Sequence, residues 1–324
     1  MKSSPTLASA EPADRRPSSL RPSRLGLGCA SLGSRIGAAA GSRALSAALE
    51  AGVTWFDVAP AYGLGNAELL LGESLKGRRH GVSVTTKVGI APPERLRLMK
   101  YVYAVGRPAL SVASGLRGAF RKIKTTRNSH LPLDAKLVET SIAQSLRRLQ
   151  TDYVDVFALH DPLPEDVARD DVLRALERVL ERGQARRVGV AGKWEACRAA
   201  LEAPELYGLL QMSVEDFSAH PAEFANGGRQ IVLHSVFGVD GMRDRLLARL
   251  ARSPGKSRAM VDGGYQGDRE RAVADLLLER ALALNAEGIV LTSMFAPAHL
   301  KANVAVASRP ASSRAIELLS EIMA

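Results

Sequence analysis

Apolar residues in this chain fall into short runs rather than a strict every-other pattern. The runs read LGLGCA (25–30), VTWFDV (53–58), VSVTTKV (82–88), VDVFALH (154–160), ARRVGVA (185–191), LLQMSV (209–214), QIVLHSV (230–236) and GIVLT (288–292). Runs this apolar, without alternation, predict parallel strands covered on the outside. Between them the period lengthens to that of a helix. In DAKLVETSIAQSLRRLQ, the residues Leu137, Val138, Ile142, Leu146 and Leu149 share one stripe, and Asp134 is placed to cap the first turn. EDVARDDVLRALERVLERG ends on Gly183, a natural residue to close a helix. NAELLLGESLKG predicts a helix that starts at Asn66 and stops at Gly77. Eight strands alternating with helices predict an α/β fold of the (β/α)8 TIM-barrel type. The alternative, a doubly wound sheet, lacks its dinucleotide fingerprint G-x-G-x-x-G, because GLGCASLG has Ser31 where the third glycine belongs.

Three stretches lie outside the repeat. Residues 91–133 are too long for a connecting loop and read as an insert. RAIELLSEIMA predicts a helix added after the eighth unit. Residues 1–22, rich in Ser, Pro, Ala and Arg, predict a disordered leader without the apolar core of a secretory signal. The expected organisation is therefore that leader followed by a single barrel domain over 23–324.

Composition narrows the partners. No apolar run reaches the ~18 residues of a membrane helix. Two cysteines, Cys29 and Cys197, offer neither a disulfide framework nor a metal spacing, so a reducing compartment, the cytoplasm, and no metal are expected. The net charge is +10, and most of it is local: nine Lys or Arg residues and one acid, Glu94, lie between 94 and 127, a net +8. A nucleic-acid protein would instead carry a basic face on its folded elements, so no nucleic-acid partner is expected. The basic stretch follows the third strand and so emerges at the end of the barrel where chemistry occurs. It is compatible with a lid over that mouth, with reception of an anionic substrate, and with peripheral contact to a membrane or acidic partner.

Catalytic groups in such barrels sit at the C-terminal ends of strands. Asp57 closes the second strand, Lys87 lies near the end of the third, His160 ends the fourth, and Tyr62 follows the second. Singly, each has a structural reading: a turn cap, a solvated strand end, a satisfied core histidine. Together, at corresponding ends of successive strands, they converge on one mouth.

The chain resembles the aldo-keto reductases, nicotinamide-dependent barrels, in GLGCASLG, AGVTWFDVAPAYGLGNAELLLGESL, TTKVG, SLRRLQTDYVDVFALHDP, GQARRVGV and APAHLKAN, all in family order. The resemblance implies Tyr62, Lys87, Asp57 and His160 as the catalytic set, a small-molecule carbonyl substrate, and NADP or NAD as cofactor. Tyr62 would give a proton to the carbonyl oxygen, its pKa lowered by Lys87, with Asp57 keeping the lysine charged. His160 would orient the carbonyl. For the cofactor the resemblance implies Asp57, Gln211, His234, Ser235, Ser293, His299 and Asn303. Two departures stand out. Ala191 and Gly192 replace the family's Ser-Asn, which holds the nicotinamide carboxamide. No Lys or Arg follows the eighth strand to meet a 2′-phosphate unless Lys301 turns inward, so near-equal use of NADH and NADPH is expected. Two other functions fit parts of the pattern: a Schiff-base lyase using Lys87, and a regulatory subunit that binds the cofactor without turnover.

Overall fold

The structure, a computed structural model, describes residues 22–91, 129–203, 205–225, 228–238 and 241–324. The expected leader, apart from its last residue, and the body of the basic insert, 92–128, lie outside the described residues.

Eight parallel strands form a closed barrel: β1 (Leu25–Gly28), β2 (Trp55–Asp57), β3 (Ser83–Val88), β4 (Val154–His160), β5 (Ala185–Ala191), β6 (Tyr207–Ser213), β7 (Gln230–His234) and β8 (Ile289–Thr292). They pair in chain order, and β8 returns to β1 with Leu25 opposite Val290 and Leu27 opposite Thr292. Closure rules out the open, doubly wound alternative. β1 stops at Gly28 rather than Ala30 because the chain turns there, with Leu32 N–H bonded back to the Cys29 carbonyl at 3.0 Å.

The pleat explains why the runs are apolar on both faces. Phe56, Val84, Phe157, Val188 and Leu233 point outward into the layer beneath the helices. Trp55, Val156, Ala158, Leu209, Val232 and Leu291 fill the barrel itself. Each such side chain, when fully buried, stabilises the fold by about 1.5–3 kcal/mol relative to exposure. The interior is filled to contact: a Cβ on Gly26 would stand 2.6 Å from Leu291 Cδ2 and 3.0 Å from Trp55 Cδ1.

The helices begin and end where local chemistry directs. Ala135–Leu149 starts at Asp134, whose carboxylate accepts the Leu137 N–H at 2.6 Å, and it buries Val138, Ile142, Leu146 and Leu149. The stretch expected as one helix over 165–183 is two, Pro164–Val167 and Asp170–Glu181, parted at Ala168 and Arg169. Arg169 spans the break, pairing with Asp166 on one side and Asp171 on the other. Gly183 closes the second helix with φ +68°. The added C-terminal helix, Arg314–Met323, buries Ala315, Leu318, Leu319 and Ile322 and packs on Arg269–Leu284. Among the described residues no helix is long and apolar enough to cross a membrane.

The two ends of the barrel differ in character. At the N-terminal end Asp155 accepts from Arg79 at 2.8 Å, from Arg186 at 3.0 Å and from the Val84 N–H at 2.9 Å. Both guanidinium groups lie over the Tyr153 ring, at 4.1 and 4.4 Å from its centre. At the opposite end, the chain continues from β3 through Gly89 into Ile90–Ala91, which pairs antiparallel with Ser129–His130. The insert therefore leaves and returns through a two-stranded stem at the mouth.

Because the interior has no slack beside Gly26, Gly26→Val is expected to lower stability by about 1–3 kcal/mol. Urea unfolding checks this: the midpoint should fall with an unchanged slope, and an unchanged midpoint would mean that the barrel centre can yield.

Candidate active site

Register sets the side chains expected to be catalytic on one face. In parallel pairs, opposed residues point the same way; Asp57 stands opposite Thr85, and Lys87 opposite Ala158. With a period of two, Asp57, Lys87 and His160 all turn into the barrel at its C-terminal end.

Lys87, 1% exposed, places Nζ 2.7 Å from both oxygens of Asp57. The same ammonium donates to the Tyr62 hydroxyl oxygen at 3.3 Å. Tyr62 opens a 3-10 turn, Tyr62–Gly65, directly after β2. That turn requires a glycine next to the tyrosine: Gly63 has φ +58°, and a Cβ there would lie 1.8 Å from the Leu32 carbonyl oxygen. The His160 ring stands edge-on to Tyr62, centroids 5.8 Å apart at 83°. The structure thus brings together all four residues expected to be catalytic.

Electrostatics assigns their protonation states. Burial pulls the Lys87 ammonium toward neutrality, but Asp57 and Tyr62 together outweigh it, and its pKa lies above the ordinary lysine value. Burial raises the Tyr62 phenol, and Lys87 lowers it by less, so the net shift is upward. This corrects the expectation of a lowered tyrosine: Lys87 acts in the expected direction, but a dehydrated phenolate costs more than one ammonium returns. Tyr62 rests as a neutral O–H. His160 lies well below the usual histidine range, first through burial and then through the Lys87 charge, with His130 and His234 adding. Its imidazole is neutral, and its Nδ1 is buried without a hydrogen-bond partner among the described residues.

The ring of strand ends continues past His160. His160 stands opposite Ala191, Ala191 opposite Gln211, and Ser213 opposite His234. Gln211 is buried and faces the interior. Ala191 and Gly192 supply no side-chain hydrogen bond, as the sequence implies. His234 Nδ1 lies 2.9 Å from the Ser235 hydroxyl.

A cleft of about 810 Å³ opens beside β7 and β8 and is lined by Ser235, Ser293, His299 and Asn303, four of the residues expected to hold the cofactor. Asn303 is already engaged, accepting from Arg271 at 3.1 Å and donating to the Thr292 hydroxyl at 3.3 Å. After β8 no Lys or Arg lines the cleft, but cations reach it from elsewhere in the chain. Arg35, Arg243 and Arg271 line the same cleft, while Lys301 is exposed and outside its lining. Arg35 donates to Ser31 Oγ at 2.7 Å, and Arg243 pairs with Glu270 at 2.7 Å. These arginines come from the loop after β1 and from two helices after β7. No local motif marks them, because each sits in an ordinary polar stretch and only chain closure brings the three together. A cation-lined cleft running to buried polar side chains fits a phosphate-bearing dinucleotide.

Fold and site define a parallel barrel with a neutral tyrosine, a buried lysine–aspartate pair and a neutral histidine at its C-terminal mouth. The chain belongs to the aldo/keto reductase family, whose profile matches residues 24–214. It is similar to a D-threo-aldose 1-dehydrogenase of a Pseudomonas species, 33% identical over 183 residues that cover 51% of this chain and 49% of that protein. The chain spans about half the length, or somewhat less, of the curated relatives it matches. Its fold matches an aldo-keto reductase of Bacillus halodurans in the holo form, with TM-score 0.66, 22% identity, and coverage of 94% of this chain and 93% of that one. It also matches an aldo-keto reductase of Klebsiella pneumoniae in complex with NADPH, with TM-score 0.63, 20% identity, and coverage of 92% and 90%.

The neutral His160 links folding to acid. Its folded pKa is depressed, so as pH falls below about 6.5 the unfolded chain takes the proton first and stability drops. His160→Gln is expected to flatten the loss of stability between about pH 6.5 and 5. Urea melts at both pH values decide it; an unchanged difference would show that the imidazole is not held neutral.

Proposed function

We propose that this protein reduces the carbonyl group of an aldehyde or ketone to an alcohol, or runs the reverse oxidation, with NADPH or NADH. The observation that carries this reading is the single ammonium of Lys87, clasped by Asp57 and touching the Tyr62 oxygen inside the barrel mouth. A bound nicotinamide supplies the hydride to the carbonyl carbon. Tyr62 gives its proton to the carbonyl oxygen, and Lys87 stabilises the negative charge left on the phenol oxygen. Asp57 keeps Lys87 charged throughout. Neutral His160, with Nδ1 buried, has Nε2 left to donate to the same carbonyl oxygen.

The same geometry speaks against the two alternative functions. A Schiff-base lysine must lose its proton, and the Asp57 pair holds Lys87 protonated. A binding subunit without turnover has no need of the complete acid–base set kept here. The cleft with Arg35, Arg243 and Arg271 supports a phosphate-rich cofactor, and the Klebsiella relative binds NADPH. The net +8 between residues 94 and 127 supports substrates that carry a carboxylate or phosphate. Two free, buried cysteines support the cytoplasm as the working compartment.

Turnover of an aldehyde panel, followed by NADPH absorbance, tests the reading. Tyr62→Phe is expected to lower kcat by about 10²–10⁴-fold while the cofactor Kd stays within about twofold. A Phe variant that keeps a tenth of the wild-type kcat would remove Tyr62 as the acid. Arg35→Ala is expected to raise the Kd for NADPH about tenfold, with a shallower salt dependence. An unchanged Kd in fluorescence titration would move the phosphate site away from Arg35.

A further inference from the structure

The end of β4 carries a charged group that the proton chemistry does not use. Asp161 follows His160 and adopts the left-handed backbone, φ +51°, immediately before Pro162. A non-glycine residue is held there only when its surroundings impose it. The tether is visible: the Asp161 N–H donates to the Ala191 carbonyl at 2.6 Å, fastening this turn to the end of β5. Its side chain then lies over the place where β5 offers nothing. Asp161 Oδ1 is 3.6 Å from the point a Cβ of Gly192 would occupy. The other oxygen lies 3.7 Å from Nε2 of His130, on the stem of the insert. Asp161 is 38% exposed at its side chain, so the carboxylate is open to solvent and not sealed in the core. It also acts electrostatically on His234 across the barrel.

The strand ends beside His160 make this position informative. A nicotinamide presented to Tyr62 and His160 would have the ends of β5 and β6 beside it. Ala191 presents a methyl group there, Gly192 no side chain, and Gln211 an amide. A primary carboxamide brings two N–H donors, and a carboxylate is the strongest acceptor for them. We propose that Asp161 holds the nicotinamide carboxamide, its carboxylate reaching over Gly192 to accept an N–H of the amide beside Gln211. The absence of a side chain at Gly192 leaves room for the Asp161 turn: a Cβ there would crowd Asp161 Cα and Pro162 Cδ, each at 3.3 Å. Asp161 is thus a cofactor-positioning residue of this chain, and the inference rests on reading the mouth as a nicotinamide site.

Equilibrium binding tests it without turnover. The full chain is titrated with NADPH and with its 3-acetylpyridine analogue, which has a methyl group in place of the amide NH2. Asp161→Gly removes the carboxylate while tolerating the left-handed backbone. It is expected to weaken NADPH about ten- to a hundredfold and to leave the analogue within about twofold. Asp161→Asn keeps the turn and loses only the charge; it is expected to weaken NADPH by a smaller factor, again sparing the analogue. It carries the test alone if the glycine variant does not fold. Equal weakening of both nucleotides would overturn the proposal, since Asp161 would then act on the shape of the mouth. No change in either would overturn it too. Wild-type protein that binds neither NADPH nor NADH would instead overturn the cofactor reading itself.

Discussion

The buried ion pair between Lys87 and Asp57 is the constraint on which the rest of the mouth depends. An ammonium at 1% exposure loses several kcal/mol of hydration, and only close compensation keeps it charged. Two contacts of 2.7 Å to one carboxylate provide it. Leaving either partner alone would cost about 3–5 kcal/mol, so β2 must end on an acid if β3 carries this lysine. A second buried carboxylate supports the arrangement from outside. Glu68, on the helix after the Tyr62 turn, accepts from Thr86 at 2.6 Å and from Arg148. Thr86 precedes Lys87 and points the other way, so this contact ties the Tyr62 segment to the strand that presents the ammonium.

The remaining polar groups follow from where the pair sits. Its positive end helps to keep His160 neutral, and burial does the same for Tyr62. The mouth therefore rests with one charged pair and two neutral hydrogen-bond donors, a state suited to giving a proton rather than taking one. Backbone strain gathers around it as well. Asp161 and Ser235, at the ends of β4 and β7, both hold positive φ, at a cost of order 1–2 kcal/mol each. The opposite end of the barrel carries its charges in a different way. Asp155 pairs with Arg79 and Arg186, and both guanidinium groups lie over the Tyr153 ring.

Some of this was legible along the chain. The eight apolar runs are all strands, because strands buried on both faces cannot alternate. Three of the four residues expected to be catalytic, Asp57, Lys87 and His160, could be read because each stands at or next to a strand end, where an apolar run has no other use for an acid, a lysine or a histidine; Tyr62 follows in the turn after β2. The break in the helix over 165–183 leaves no mark in the sequence, because apolar periodicity continues through Ala168 and Arg169 while the backbone does not. The net direction of the Tyr62 shift was out of reach: it depends on how much water the folded mouth excludes, which no pattern of residues states.

The sequence by itself determined the barrel and its alternation of strands and helices, since period and run length follow from local chemistry. Register between neighbouring strands then delivered Asp57, Lys87 and His160 to one point. Only the tertiary structure decided the rest. Arg35, Arg243 and Arg271 share a cleft because β8 closes on β1 and brings the loops around it together. Asp161 lies over Gly192 because one backbone hydrogen bond fastens two strand ends. Contacts between residues far apart in the chain carry no local signal, since each partner is an ordinary polar residue until the fold makes them neighbours.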